Sequence, residues 1–373
     1  MRPETLFVHA GAEPDPATGA VVPPLHLATT FQHGPAGERI AGFEYVREGN
    51  PNQAQLEAAL ALLERGAGAL AFSSGMAAIT ALLDSLPSGA HLVYPQDCYA
   101  GVRVLVTEFL PQRGVSATAV DVGDVDAVRA ALTPQTRLLW LETPSNPQLR
   151  ICDIAASSSL AQERGALVAC DNTFATPLLQ QPLMLGADVV MHSTTKYFGG
   201  HSDVLGGALV FAQRAALFDA VAYRRHITGA VPSPFNSWMT LRGLRSLPAR
   251  MAMHCRNARI VAEFLAADVR VEKVNWPGLP SHPNHAVATR QMRDFGGMLS
   301  VQVRGGRKAA LAFAGKLRLF TNATSLGGCE SLVEHRASVE GEHPVSPQNL
   351  LRLSIGLEHA DDLIADLEQA LRA

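Results

Sequence analysis

No basic tract occurs in these 373 residues, and charge of either sign is sparse. Only 17% of positions are charged, and 31 Lys and Arg against 34 Asp and Glu leave a formal net charge of −3. That excludes the dense cationic face a nucleic-acid partner requires and leaves a small metabolite as the expected partner. Cysteine is scarce: Cys98, Cys152, Cys170, Cys255 and Cys329 stand singly, with no CxxC pair. An odd set of scattered thiols argues against a disulfide framework, so free thiols of a reducing compartment are expected, several of them buried. No apolar run approaches the roughly 20 residues that span a bilayer. The opening MRPETLFVHAGAEPD lacks the continuous apolar core of a secretory signal. A cytoplasmic protein with no membrane partner is expected. No internal repeat or low-complexity segment is seen.

Apolar residues are plentiful. At 47% hydrophobic over this length, the chain can build large cores and more than one domain. Residues 1–55 are the exception. They carry Pro14, Pro16, Pro23, Pro24, Pro35 and Pro51 and few periodic apolar runs. Such a segment is expected as an arm laid on another surface, of this subunit or a neighbour.

Over residues 56–240 the pattern becomes rhythmic. QAQLEAALALLERG reads as an amphipathic helix closed by Gly66. GALAF, HLVYP, SATAV, RLLWLE, ALVACD, DVVMHS and ALVFA read as short strands between helical stretches. The expected fold class is α/β, with a mostly parallel sheet covered on both faces. Over residues 241–373 the rhythm changes. RNARIVAEFLAAD, MLSVQVRG, RKAALAFAGKL, LLRLSIGLE and HADDLIADLEQALRA predict a smaller α+β domain.

Ligands of such sheets gather at the carboxyl ends of strands. There SSGM follows GALAF, Tyr99 follows HLVYP, ETPSNP follows RLLWL, DNTF follows ALVAC and HSTTK follows DVVM. Lys196 precedes Gly199, Gly200, Gly206 and Gly207. A lysine confined among polar groups has a lowered pKa and becomes a nucleophilic amine toward an aldehyde, of which pyridoxal phosphate (PLP) is the best known. That cofactor also needs a carboxylate for its pyridine nitrogen, which Asp171 offers. Its phosphate needs a helix start and hydroxyls, which Ser74, Gly75, Met76, Ser193 and Thr195 offer. Its ring needs a flat face, which Tyr99 offers. Singly, each has a plainer role as surface lysine, capping Asp, turn or packing ring; together and in this order they point to PLP. His201 has no second ligand at a sensible spacing, so a structural hydrogen bond is expected there rather than a metal.

DVVMHSTTKYFGGHS, with GFEYVREGNPN, SSGMAAI, PQDCYAG, ETPSNP, DNTFATP, SLGGCESL and LLRLSIGLE, closely resembles the trans-sulfuration family of PLP enzymes of cysteine and methionine metabolism. The resemblance runs through nearly the whole chain. It implies PLP fold type I: an N-terminal arm, a large cofactor domain, a smaller C-terminal domain, and a homotetramer built from two active dimers. It implies that Lys196 carries the cofactor and later shuttles protons, and that Tyr99 stacks on the ring and assists. It implies that Asp171 pairs with the pyridine nitrogen and that Gly75, Met76, Ser193 and Thr195 hold the phosphate, with Ser74 and Thr173 also on the cofactor. Tyr45 and Arg47 are implied to reach that phosphate from the neighbouring subunit. Asn146 is implied near the ring hydroxyl, and Arg352 on the substrate α-carboxylate with Ser325 and Asn146 nearby.

Within the family, reactions divide by the bond that breaks. Methionine γ-lyases carry a cysteine where this chain has Gly101, and enteric β-lyases a tryptophan where it has Leu326. Synthases and γ-lyases usually place a glutamate at Thr324 and often an arginine at Val104; Arg103 stands one place early. Glu48 adjoins Arg47 and has two readings. It pairs with an arginine at the dimer seam, or it attracts the distal ammonium of cystathionine and repels an acyl carboxylate. The second reading favours a lyase. The resemblance therefore implies a carbon–sulfur lyase, a cystathionine γ-lyase-like enzyme releasing L-cysteine, 2-oxobutanoate and ammonia. Cystathionine γ-synthase and then β-lyase are the alternatives. A catalytically idle PLP-binding scaffold is the non-enzymatic one, and intact Lys196, Asp171, Tyr99 and Arg352 speak against it.

Overall fold

The computed structural model describes residues 1–341 and 344–372. Seven strands form the larger sheet: β1 (Gly68–Phe72), β2 (His91–Pro95), β3 (Ser116–Val120), β4 (Thr136–Glu142), β5 (Leu167–Asp171), β6 (Val189–His192) and β7 (Gly207–Phe211). Their order is β1-β7-β6-β5-β4-β2-β3. From β3 through β2, β4 and β5 to β6 every pairing is parallel, as the alternation predicts. Strand β7 departs from that expectation, pairing antiparallel with both β6 and β1. The chain leaves β6 and returns through residues 193–206 without a crossover helix, so it re-enters the sheet from the same rim. That returning loop carries Lys196. Strand β3 lies at the sheet edge, and its SATA residues are exposed, whereas β1, β2, β6 and β7 are buried throughout.

The helix Pro51–Glu64 has the sequence signals its ends require. Asn50 caps it by accepting from the Asn52 N–H, and Pro51 occupies the first turn, where no donor is missed. It stops at Glu64 because Arg65 takes a left-handed φ of 59°, one residue before the Gly66 expected to close it. Its inner face sets Leu56, Leu60 and Leu63 at no more than 2% exposure in one core with Leu244, Leu247 and Met251. Each such leucine contributes about 1.5–3 kcal/mol relative to exposure. The helix Gly75–Leu83 packs Ile79, Leu82 and Leu83 with Trp140 and Phe211 in a second core.

In the C-terminal part, β8 (Val271–Asn275), β9 (Met298–Val303), β10 (Thr321–Asn322), β11 (Leu332–His335) and β12 (Leu350–Ser354) order as β10-β11-β12-β9-β8. All pairings are antiparallel except β10 with β11. The helix Ala360–Arg372 buries Leu363 and Leu367 with strand residues Leu299, Val301 and Leu353.

A 34-residue helix, Pro234–Ala267, begins well before the predicted RNARIVAEFLAAD span. It bonds to both parts of the molecule. Arg250 donates to the carbonyls of Tyr197 (2.8 Å) and Gly243 (2.7 Å), while Asn257 donates to those of Gly356 (3.1 Å) and Glu358 (2.9 Å). We propose three units, an arm (1–55), a cofactor domain (56–240) and a C-terminal domain (241–373), with this helix crossing the second boundary. The arm adds the helix Pro3–His9, whose Phe7 is buried in the first core. Beyond it, residues 11–50 form only isolated bridges and leave Val21, Leu27 and Ile40 exposed.

Among the described residues no helix is long and apolar enough to cross a membrane. The five cysteines are free, and all but Cys329 are buried.

Candidate active site

The five strand-end clusters meet on one rim, as strand order requires. They surround a cavity of about 470 Å³ whose lining includes Ser74, Gly75, Met76, Tyr99, Asn146, Asp171, Thr173, Ser193, Thr195, Lys196, Ser325, Leu326 and Arg352. Lys196 Nζ donates to Ser325 Oγ at 2.7 Å. Burial and then the neighbouring Arg352 guanidinium bring its amine down to about 8, against a smaller opposing pull from Glu334. Ser325 holds its position with a positive φ of 81°.

Asp171 ends β5 and accepts from the Thr173 N–H at 2.9 Å. Burial pushes its carboxyl up, against the hydrogen bonds from Thr173 and the pull of His192. Among the described residues no cationic side chain forms an ion pair with it. Such a buried carboxyl is suited to a cationic ligand atom.

The helix Gly75–Leu83 points its N-terminus at the cavity, capped by Ser74, whose Oγ accepts from the Ala77 N–H. Gly207 lies so close that an added Cβ would strike the Ser74 carbonyl and Gly75. Bare backbone at that point keeps the helix start open toward an anion. Ser193 lines the same corner. The Thr195 hydroxyl donates to the Gly206 carbonyl and accepts from the Gly206 N–H, both at 3.1 Å. Gly200, further along the loop, takes a φ of +72° against the Arg250 guanidinium, a position that excludes a side chain.

Tyr99 is 43% exposed at the cavity wall, and its backbone N–H donates to Glu142 Oε2 at 2.9 Å. Asn146 donates its N–H to Glu142 Oε1 at 2.8 Å and accepts at Oδ1 from Arg352 Nη1 at 3.0 Å. Arg352, on β12, also donates from Nη2 to the Ser325 carbonyl (2.9 Å) and pairs with Glu334 Oε2 (2.7 Å), its cross-strand partner on β11. Burial brings the Arg352 guanidinium down to about 10.

Three charged lining residues escaped the sequence reading: Glu142, Glu334 and Arg336. Glu142 opens ETPSNP, and Glu334 interrupts the apolar LVEH strand; a charge inside a buried strand was the available signal, because it demands a partner. Conversely, Tyr45, Arg47 and Glu48 are outside this cavity. Arg47 Nη1 contacts the His226 ring at 3.1–3.2 Å and donates to its carbonyl at 3.2 Å. Glu48 pairs with Arg39 at 2.6 Å. His201 Nδ1 lies 2.9 Å from the Gly199 carbonyl, the structural bond expected of it.

A reactive amine, a buried carboxyl suited to a cation, a helix start suited to a phosphate and a tyrosine at the wall together fit PLP. The model of the Cys/Met metabolism PLP-dependent enzyme family matches residues 4–372. A cystathionine gamma-synthase of Mycobacterium tuberculosis is 53% identical, covering 99% of this chain and 96% of that protein. A cystathionine gamma-lyase of Bacillus subtilis is 41% identical over 100% and 99%. The crystal structure of cystathionine gamma synthase from Xanthomonas oryzae pv. oryzae in complex with cystathionine superposes with a TM-score of 0.96. It is 42% identical, covering 100% of this chain and 98% of that one. With this cavity and these likenesses, the chain belongs to the PLP-dependent enzymes of cysteine and methionine metabolism, within the cystathionine synthase and lyase group.

Proposed function

We propose that this protein is a cystathionine γ-synthase, joining an O-acyl-homoserine to cysteine by γ-replacement. The expected γ-lyase activity is then the secondary one. The observation that carries this reading is the identity gradient: 53% to a γ-synthase against 41% to a γ-lyase, each across nearly the whole chain. Local electrostatics agree. The lyase expectation leaned on a free Glu48 repelling an acyl carboxylate, but Glu48 is paired within the arm with Arg39, which it shares with Glu44.

PLP, when bound, supplies an aldehyde for the substrate amine and a ring that accepts the electrons released at the substrate carbons. In our reading Lys196 holds it through Nζ, Asp171 keeps its ring nitrogen protonated, and Asn146 lies near its ring hydroxyl. Ser74, Gly75, Met76, Thr173, Ser193 and Thr195 complete its cradle, and Tyr99 covers its face. The rest falls to the chain's own groups. With its amine near 8, Lys196 Nζ takes and returns protons at physiological pH. γ-Replacement needs this at two adjacent carbons, so a base on a long, flexible stem is well chosen. Arg352 fixes the α-carboxylate through paired N–H groups, oriented by Asn146 and Glu334. Ser325 and Leu326 bound the substrate beside it.

Tyr45 and Arg47 lie outside their own subunit's cavity, and the arm leaves Val21, Leu27 and Ile40 bare. These features support a homotetramer of two active dimers in which Tyr45 and Arg47 complete the neighbour's phosphate site.

The test is a substrate panel of O-succinyl- and O-acetylhomoserine, each with cysteine, and of cystathionine alone, with products identified by mass. Cystathionine should form faster from an ester than 2-oxobutanoate is released from cystathionine. Release of 2-oxobutanoate and ammonia without net synthesis would restore the lyase reading.

A further inference from the structure

Behind the rim the strand ends share a second set of contacts. Glu142 and Pro144, Asp171 and Thr173, and Met191 and Ser193 all line the cavity. The residues between them, Thr143, Asn172 and His192, do not, because alternate side chains of a strand point to opposite faces. All three are buried and join one polar cluster. His192 Nε2 donates to Glu64 Oε1 at 2.5 Å, and Asn172 Nδ2 donates to the same oxygen at 3.1 Å. Gln180 Nε2 donates to Asn172 Oδ1 (3.0 Å) and to the Thr143 carbonyl (2.9 Å). The His192 ring also packs on Phe198, two residues past Lys196, with centroids 4.5 Å apart.

Glu64 is a costly choice for stability alone. It is fully buried, and its Oε2 has no partner among the described residues. It ends the helix Pro51–Glu64, where the helix dipole disfavours a negative charge. Well-packed apolar residues in place of such a buried pair are often neutral or stabilising. Glu64 does not line the cavity, so it is not placed to touch substrate. It touches instead the residue that follows Asp171 and the residue that follows Met191, the cross-strand partner of Asp171.

We propose that Glu64 is a positioning residue for the cofactor: by tying Asn172 to His192 it sets Asp171 at the cavity wall. This rests on the assignment of Asp171 to the ring nitrogen. His192 also pulls against the burial that raises the Asp171 carboxyl, so loosening its anchor reaches Asp171 through space as well as along the chain. Glu64 transfers no proton and contacts no reacting atom. Its part is to hold two adjacent strand ends to one point, so that the carboxyl between them meets the ring nitrogen in one place.

The experiment is a double-mutant cycle on PLP binding, with E64Q made in wild type and in D171N. Equilibrium dialysis reads the dissociation constant of PLP, and absorption reads the bound cofactor. E64Q keeps the shape and one acceptor while removing the charge. It should weaken PLP binding by about tenfold in wild type and by about twofold or less in D171N, because Asp171 carries the effect. It should also shift the absorption of the bound cofactor in the wild-type background. The comparison across backgrounds cancels any general cost to the fold, which falls on both alike. Equal weakening in both backgrounds, or unchanged affinity and absorption in wild type, would overturn the proposal. Should E64Q not fold, H192Q goes through the same cycle, and the same two outcomes decide. D171N that binds PLP as tightly as wild type would sink the assignment of Asp171 and this proposal with it, a failure seen without any Glu64 variant.

Discussion

Glu142 and Asp171 stand directly opposite each other at the ends of β4 and β5, two buried carboxyls on adjacent parallel strands. Burial and the Asp171 charge push Glu142 well above the usual carboxylate range, and burial raises Asp171 as well. A carboxyl whose pKa rises on folding holds its proton more readily in the folded chain. Stability is therefore full at low pH and falls as pH climbs from the ordinary values of 4.5 and 3.8 through the raised ones. The cofactor-free protein should melt at progressively lower temperature as pH rises above the ordinary carboxylate values, and E142Q should flatten that slope. Melting curves across pH check it; identical slopes would show that the pair does not share this penalty.

Lys196 should show its lowered pKa as reactivity. The rate at which the cofactor-free enzyme takes up PLP should rise with pH and reach half its plateau near the amine's value of about 8. Borohydride reduction and peptide mapping should label Lys196 in wild type and leave K196A unlabelled. Labelling elsewhere would remove the chemical basis of the site.

Gly101 sits where a side chain would press on Tyr99. An added Cβ would approach Tyr99 Cε1 and Met76 Sδ to 2.7 Å each. G101C should tilt the tyrosine, lower kcat by about tenfold or more for a small misplacement at the chemistry, and shift the cofactor's absorption. An unchanged spectrum with unchanged kcat would show that the tyrosine yields without cost.

Gly207 guards the helix start beside Ser74. G207A should cost about 1–3 kcal/mol through overpacking and weaken PLP binding more than it weakens the fold. The checks are denaturant unfolding of the cofactor-free protein and equilibrium dialysis of PLP.

Glu48 gives the opposite expectation. Its partner Arg39 is about half exposed, and an exposed pair screened by solvent adds little to stability. E48A should leave stability and the ester preference essentially unchanged. A switch between succinyl and acetyl esters would return Glu48 to the specificity machinery.

Much of this site was readable in the chain because strand ends in a parallel sheet converge by topology. GALAF, HLVYP, RLLWLE, ALVACD and DVVMHS each delivered their polar follower to the same rim. What was not readable depended on pairing across the C-terminal sheet. Glu334 and Arg352 are 18 residues apart, and only the β11–β12 register makes them neighbours. Arg336 was invisible for a related reason, since a lone arginine after an apolar strand reads as a surface charge until its burial is seen. The antiparallel turn of β7 was missed because periodicity reports a strand's burial and not its direction. The long helix was cut short because its first 22 residues, PFNSWMTLRGLRSLPARMAMHC, mix proline, glycine and arginine within one helical span.

That long helix has a mechanical consequence. At about 1.5 Å per residue it is a rod of about 50 Å. One stretch of it, Arg250, grips the loop of Lys196; less than two turns further on, His254 and Asn257 grip the chain just past Arg352, at Ile355 and Gly356. Lys196 and Arg352, which we assign to neighbouring groups of one small substrate, are thus mounted on a common beam. Their separation is fixed by the pitch of a single helix rather than by the fit between two domains.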